Sequence, residues 1–181
     1  MIKLTKKIII VEGIVDRGAI KGIMYRLNKT AEIKQIRGNR PKKVISIAKN
    51  ETYDLLIIMK DLHYYTENQI LNIFNNIKQN LNVEIYKKIA LIIVKHAIES
   101  WFLSDINNLN KIYNINITKD ISNPENITKP DYELKEILRN KGKNYIKNEE
   151  IAKRIMIKAD FDQIMRKCVS FKKFINYLND C

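Results

Sequence analysis

Cysteine is scarce in this chain, and the two that are present, Cys168 and Cys181, do not form a metal-binding pair. Long hydrophobic runs are also lacking, because the longest uninterrupted one, from Ile89 to Val94, falls far short of the roughly 20 residues that a membrane-spanning helix needs. The first residues lack a signal-peptide pattern, which would combine an apolar stretch with a small-residue cleavage site. We therefore expect a reduced, cytoplasmic protein that does not associate with membranes.

Acidic residues are outnumbered by basic ones, 20 to 33, which leaves a net charge of +13 at pH 7. Such an excess indicates a polyanionic partner, and nucleic acid is the first candidate. Most of the cations are lysines, however, in a chain that is also rich in isoleucine and asparagine, so a compositional bias of the genome would produce the same charge. Composition alone therefore leaves two explanations open: a nucleic-acid or nucleotide partner, and a merely soluble basic surface.

The segment KIIIVEGIVD, residues 7–16, is the most informative part of the chain. An unbroken run of isoleucine and valine is typical of a strand buried on both faces, so Glu12 is expected where the strand leaves the core. Gly13 would let the backbone turn sharply, and Asp16 would cap a helix over residues 17–27. For Glu12 the alternative is a strand-end charge that faces water, and for Asp16 it is an N-cap without further role.

Three further segments are predicted to be strands. Residues 31–37 alternate weakly, whereas residues 53–60 and 88–95 are nearly continuous apolar runs. Helical spacing is found over residues 41–49, 67–80 and 97–103. Strands that alternate with helices imply right-handed crossovers and a mainly parallel four-stranded sheet with helices on both faces, an α/β fold. The pattern does not specify the order of the strands.

The pattern changes after Tyr113, and we predict a domain boundary there. Residues 114–130 are polar, contain two of the three prolines and are predicted to form a long loop. Short helical patterns follow over residues 132–139, 149–159, 161–167 and 170–178. The apolar residues of this tail that require burial are Ile155, Phe161, Ile164, Phe171, Phe174 and Leu178. The predicted organisation is an α/β domain over residues 1–113 and a helical C-terminal extension over residues 114–181 that packs on it.

Polar groups follow three of the predicted buried strands at the point where each strand ends. They are Glu12 with Asp16, Asp61 with His63, and His96 with Glu99. Because the carboxyl ends of parallel strands meet at one edge of a sheet, we expect these groups to converge. Crowded carboxylates shift their pKa values or bind a divalent cation, and oxygen ligands suit Mg²⁺ or Mn²⁺, with a histidine favouring Mn²⁺. Unrelated helix caps and loop or packing residues are the alternative.

Two motifs of the chain resemble the pattern of the Toprim domain. The first is a strand followed by Glu12-Gly-x-x-Asp16 and a helix, and the second is a later strand that ends in Asp61-x-His63. Toprim domains occur in topoisomerases, primases and OLD-family nucleases, and their second motif is Asp-x-Asp. The resemblance implies that Glu12 and Asp61 are metal ligands or acid–base groups and that Asp16 and Glu99 are candidates for a second cation. His63 stands in place of the second aspartate, where it could bind Mn²⁺ through one nitrogen or orient a water molecule.

A second resemblance covers nearly the whole chain. Residues 96–105, HAIESWFLSD, are similar to the Arg-Glu-Ile-Glu-Ala-Trp-Leu-Leu-Ala-Asp signature of an uncharacterised Toprim-like family, domain of unknown function 4276. In the tail, Asn123-Pro124-Glu125 and Lys129-Pro130 match its proline-rich segment, Tyr145-Ile146-Lys147 its Tyr-x-Lys, and Cys168-Val169-Ser170-Phe171 its Cys-Pro-Ser-Phe. Members are suspected metal-dependent nucleases and are often found near defence and mobile-element genes. His96 and Ala97 depart from the signature, since arginine and glutamate are usual there.

Cationic side chains near the first two strand ends are candidates for contacts with phosphates. They are Arg17, Lys21, Arg37, Arg40, Lys42 and Lys43. Solvated helix faces are an equally good explanation of these residues. The single tryptophan, Trp101, is predicted to lie in the core rather than to stack on a base. Tyr145 and Lys147 are further candidates to reach the site from the tail.

The leading hypothesis is a Toprim-like, metal-dependent phosphodiesterase that acts on nucleic acid with Mg²⁺ or Mn²⁺. Glu12 and Asp61 would be catalytic. The predicted metal-binding set is Glu12, Asp16, Asp61, His63 and Glu99. The alternatives are a non-catalytic nucleic-acid-binding or regulatory module with a degenerate metal site, and a toxin or defence component that acts on a nucleotide or with a partner protein. The sequence does not decide whether the nucleic acid is DNA or RNA, which metal binds, or what the oligomeric state is, and a homodimer is one of the options.

Overall fold

The computed structural model describes residues 6–179, with only the backbone described at Asn39, and it contains a four-stranded parallel sheet. The strands are β1 (Lys7–Val11), β2 (Glu32–Gln35), β3 (Leu55–Asp61) and β4 (Ile89–Val94). Their order across the sheet is β2-β1-β3-β4. The central strands β1 and β3 are buried along their whole length, which explains why their sequences are apolar runs without alternation. The predicted α/β class and parallel four-stranded sheet are confirmed.

Helices connect the strands and form the tail. They are α1 (Ile14–Arg26), α2 (Pro41–Asn50), α3 (Glu67–Gln79), α4 (Val83–Tyr86), α5 (Glu99–Leu103), α6 (Ile106–Tyr113), α7 (Pro130–Arg139), α8 (Glu149–Lys158), α9 (Phe161–Lys167) and α10 (Val169–Asn179). Two 3₁₀ helices span Arg37–Asn39 and Pro124–Asn126, the second within the predicted loop. Helices α4 and α6 were not predicted from the sequence. A local signal for α6 exists, because Asp105 caps it by accepting a hydrogen bond from the backbone N–H of Asn108 at 3.0 Å.

Side chains of the central strands alternate between two hydrophobic cores, one on each face of the sheet. Ile9 and Val11 of β1 lie in the larger core with α1 and the C-terminal helices. Ile8 and Ile10 lie in the smaller core with α2 and α3. The larger core contains the six tail residues that were predicted to require burial, each of which is less than 9% exposed. The C-terminal segment therefore packs on the α/β part through a shared core, and the boundary at residue 113 stays a prediction.

Helix α1 packs directly against α8 of the tail because two glycines lie between them. A Cβ atom on Gly18 would lie 2.8 Å from the carbonyl carbon of Glu149, and one on Gly22 would lie 2.9 Å from Cβ of Met156. Real Cβ atoms do not come so close, so only glycine permits this helix spacing. The close contact fixes the tail against the helix that follows β1, at the edge of the sheet where the polar strand ends lie.

Trp101 is fully buried, as predicted. Its Nε1 donates a hydrogen bond to Oγ of Ser170 at 2.8 Å, and its ring meets Phe171 edge-on with the ring centroids 5.0 Å apart. Both partners belong to α10. A buried indole N–H needs such an acceptor, so Trp101 joins α5 to the last helix and is unavailable as a base-stacking surface.

Across residues 6–179, no helix is both long and apolar enough to cross a membrane. Cys168 is buried, and burial raises the pKa of its thiol to about 12, so the thiol stays neutral at physiological pH. Such a cysteine packs as a small apolar side chain and is a poor metal ligand. Cys181 lies outside the described residues.

Candidate metal site

A cleft of about 910 Å³ opens at the carboxyl ends of the strands. The acidic, basic and histidine side chains that line it are Glu12, Asp16, Arg37, Lys60, Asp61, His63, His96, Glu99, Lys129, Asp131 and Lys147. Parallel pairing places the carboxyl ends of β1, β3 and β4 at the same edge of the sheet, and the polar residues at and after these ends share this edge. The structure therefore brings the three predicted polar strand ends into one cleft, together with groups from the tail.

Glu12, Asp61 and His63 form the tightest cluster. Each offers one ligand atom, and these atoms all lie within 4.8 Å of one another. Asp61 is buried, Glu12 is partly buried and the His63 side chain is about half exposed. Burial lowers the pKa of His63, so its imidazole is neutral at pH 7, and its Nε2 lies 3.4 Å from Oδ2 of Asp61 as a polar contact rather than an ion pair. Two carboxylates and a neutral imidazole are a donor set that a divalent cation can use.

Lys60 is the positive group nearest to this cluster. Its ammonium forms an ion pair with Glu12, and both side chains are about nine-tenths buried. The Lys60 ammonium also lies 5.2 Å from the centre of the Tyr65 ring. In the sequence, Lys60 is only the last residue of an apolar run, and no local pattern indicates that its side chain turns towards Glu12. Without a bound cation, Lys60 is the counter-charge of that carboxylate.

Asp16 is not the N-cap of α1, contrary to the prediction. The helix begins at Ile14, Gly13 is the N-cap, and Asp16 is three residues further on, where its Oδ2 accepts a hydrogen bond from the Gly13 N–H at 2.7 Å. The backbone of Gly13 is extended, with φ −117°, so its role is not an unusual turn. A Cβ there would lie 3.2 Å from Oδ2 of Asp16, so glycine makes room for the carboxylate. The error arose because a carboxylate can also bond back to the N-cap from the first turn.

Crowding and burial change the proton affinities of the acids in the cleft. Burial raises the pKa of Asp16 to about 6, and the nearby carboxylates of Glu99 and Glu12 add to this, against the hydrogen bond from Gly13. Burial also raises the pKa of Asp61 well above its ordinary value, with repulsion from Asp16, Glu12 and Glu99 adding to the effect. Uncompensated carboxylates of this kind gain stability when a cation or a proton arrives.

Glu99 lies in the same cleft but does not belong to the cluster of Glu12, Asp61 and His63. It is 3% exposed, and its Oε1 accepts a hydrogen bond from the hydroxyl of Tyr145 at 3.1 Å. Lys147 lies 3.8 Å from the same oxygen and donates to Oδ2 of Asp131 at 2.7 Å. Burial raises the pKa of Glu99, and Lys147 opposes that rise. Tyr145 and Lys147 thus reach the site from the tail, whereas sequence reasoning missed Asp131.

The predicted phosphate-binding cations separate into three groups. Arg17 and Lys21 lie on α1 and both form ion pairs with Glu149 of α8, so they contribute to the packing of the tail. Arg37 is exposed and lines the cleft. Arg40, Lys42 and Lys43 lie at the start of α2 and are exposed, outside the cleft lining. Of the six cations, the structure brings only Arg37 next to the acids.

Two histidines at the edge of the sheet have left-handed backbones. The φ angles are 40° at His63 and 62° at His96, and the N–H of His63 donates to the carbonyl of His96 at 3.1 Å. Such φ angles are unfavourable for residues other than glycine, by about 1–2 kcal/mol each, and they cluster at functional sites. Nδ1 of His96 is buried and has no hydrogen-bond partner among the described atoms. No pattern in the sequence would have predicted these conformations.

No curated protein and no solved structure gives a significant match to the chain. The sequence model of one family, described as Domain of unknown function (DUF4276), matches residues 11–179. The matched part contains every residue of the cleft described above, together with the tail that closes one side of it. The chain therefore belongs to the family of Domain of unknown function (DUF4276).

Proposed function

We propose that this protein is a metal-dependent phosphodiesterase that acts on nucleic acid. The observation that carries the proposal is the cluster of Glu12, Asp61 and His63, whose ligand atoms lie within 4.8 Å of one another at the edge of a parallel sheet. Clefts outside the carboxyl ends of parallel strands are the usual location of ligand sites in α/β proteins. The motif resemblance to Toprim domains and the net charge of +13 support the same class of reaction.

The residues present fit a divalent cation. Burial raises the pKa of Asp61 and the neighbouring carboxylates add to the rise, while Lys60 forms an ion pair with one of these carboxylates, Glu12. Glu12, Asp61 and His63 would hold the cation, and the imidazole favours Mn²⁺ over Mg²⁺. When bound, such a cation polarises a phosphoryl oxygen and makes a water molecule a better nucleophile.

The chain itself would supply proton transfer and positioning. Asp16, with a pKa of about 6, can accept or release a proton near neutral pH, and the hydrogen bond from the Gly13 N–H to its Oδ2 holds the carboxyl group in the cleft. Glu99 would assist as a second acidic group of the predicted set, with its position fixed by Tyr145. Arg37 and Lys147 would bind phosphates at the cleft.

Cleavage of labelled DNA and RNA oligonucleotides in Mn²⁺, in Mg²⁺ and in EDTA tests this proposal. The wild type should cut in the presence of a divalent cation only, and Glu12→Gln should abolish cutting because it removes an anionic ligand without changing the size of the side chain. Glu84→Gln, at an exposed position of α4, is the matched control and should cut like the wild type. Equal activity in Glu12→Gln and Glu84→Gln would contradict the proposal.

Two observations favour a second function, a nucleic-acid-binding module without catalysis. The Lys60 ammonium already compensates Glu12, and His63 occupies a position where a carboxylate would strengthen a Mg²⁺ site. In such a protein, Lys60 would take the structural place of the cation. Calorimetric titration separates the two functions, because salt-sensitive oligonucleotide binding without measurable Mn²⁺ binding would favour the module over the enzyme.

A further inference from the structure

Two tyrosines line the cleft with their rings in solvent, on the loop between β3 and α3. Tyr64 is 95% exposed and Tyr65 is 47% exposed. Within the described residues, the Tyr64 side chain makes no hydrogen bond and no ring contact. A large aromatic ring gains by leaving water, so a ring this exposed beside a concave polar site is available to a ligand.

The loop that carries these rings is held by hydrogen bonds on both sides. The N–H of Tyr65 donates to the carbonyl of Leu62 at 2.7 Å, and the N–H of His63 donates to the carbonyl of His96 at 3.1 Å. Thr66 then caps α3 through its side chain. A loop fixed in this way loses little conformational freedom when a ligand binds to its aromatic side chains.

Cationic side chains beside the acidic cluster can contact the phosphates of an oligonucleotide. Arg37, Lys129 and Lys147 line the cleft together with the tyrosines. Arg37 and Lys129 form no ion pair within the part of the chain that the structure describes, whereas Lys147 is paired with Asp131. Two unpaired cations and exposed aromatic rings at one cleft are the combination by which proteins bind single strands, since cations hold phosphates and rings stack on bases.

We propose that Tyr64, together with Tyr65, is a base-stacking surface that makes this cleft a binding site for single-stranded nucleic acid. This inference rests on the proposed function, because it places a phosphate of the same strand at the acidic cluster. The inference also goes beyond the proposed function, because it selects single-stranded nucleic acid as the substrate class. In a duplex both faces of each base are covered by neighbouring bases, so only an unpaired strand or an end can present a face to Tyr64.

The test is fluorescence anisotropy in EDTA with three labelled probes of equal length: oligothymidine, oligouridine and a DNA duplex. The variants are Tyr64→Ala, Tyr64→Phe, which keeps the ring, and Tyr25→Ala, which removes an exposed ring at the far end of α1, outside the cleft lining. We expect the wild type to bind the single strands more tightly than the duplex. Tyr64→Ala should weaken single-strand binding by roughly fivefold to 100-fold, whereas Tyr64→Phe and Tyr25→Ala stay within about twofold of wild type.

Three results would overturn the inference: no binding of either single strand, equal affinities of Tyr64→Ala and Tyr25→Ala, or an equal loss for the duplex. The two single strands decide between DNA and RNA as the preferred form of the same ligand. The proposed function fails separately. Single-strand binding that depends on Tyr64, with no cleavage in Mn²⁺ or Mg²⁺, would refute the phosphodiesterase and leave the stacking surface. Metal-dependent cleavage that Tyr64→Ala leaves unchanged, together with unchanged single-strand binding, would refute the stacking surface and leave the phosphodiesterase.

Discussion

Replacing Asp16 by asparagine should stabilise the metal-free protein, and the gain should grow as the pH rises. The asparagine Oδ1 can still accept the hydrogen bond from the Gly13 N–H, so the start of α1 keeps its contact while the buried charge disappears. Burial and neighbouring carboxylates raise the pKa of Asp16 from 3.8 to about 6 in the folded chain. Below pH 3.8 the carboxyl group is mostly protonated in both states. Between pH 3.8 and 6 it ionises mainly in the unfolded state, so the wild type loses stability across this range, and the loss is nearly complete above pH 6.

The size of the effect follows from the two proton affinities. A difference of about two pKa units corresponds to roughly 3 kcal/mol once the group is ionised in both states, near pH 8. At pH 4.5 only the unfolded chain is largely ionised, and the difference falls to about 1 kcal/mol. For a chain of this length each kcal/mol shifts the melting temperature by about 2–4 °C, so Asp16→Asn should melt about 6–12 °C higher at pH 8.

Thermal unfolding in EDTA at pH 4.5, 6 and 8 measures this gain directly. Asp162→Asn is the control, because Asp162 is also an acid in the first turn of a helix, α9, but its side chain is exposed. Its melting temperature should follow the wild type at every pH. Added Mn²⁺ should narrow the gap at pH 8, since a cation in the cleft offsets the buried charge. A variant that is less stable than wild type at pH 8, or a gain that shrinks as the pH rises, would refute the reasoning.

Two further predictions concern the packing of the tail and the counter-charge of the cluster. Gly18→Ala should lower the free energy of unfolding by about 3 kcal/mol or more in a urea titration, because the new methyl group meets the backbone of α8. Gly38→Ala, where φ is 66° and no atom lies within 4 Å, should cost only about 1 kcal/mol, and equal losses would contradict the close packing. Lys60→Met should tighten Mn²⁺ binding in calorimetry, because it removes the ammonium that competes for Glu12. Unchanged or weaker binding would show that Lys60 does not compete with a cation.

Local patterns predicted most of the elements because each depends on burial at a short and regular spacing. The apolar runs of β1 and β3 are buried on both faces, and the Phe171 and Phe174 spacing follows the inner side of α10. Local patterns failed where several residues compete for one role, as at Asp16, which bonds back to Gly13 from the first turn instead of capping the helix. Which residue occupies the N-cap depends on the backbone path into and out of the helix, and a short sequence pattern does not specify that path.

The sequence by itself determined that carboxylates lie at or just beyond the ends of buried strands, since burying an ionised group among isoleucine and valine side chains costs free energy unless the group is paired. Only the tertiary structure decided which of these groups are neighbours. Asp61 and His63 share a cluster with Glu12 because β3 pairs with β1, while Arg17 is drawn away to Glu149 by the packing of α8. Distances of this kind join residues far apart in the chain, and no local periodicity encodes them.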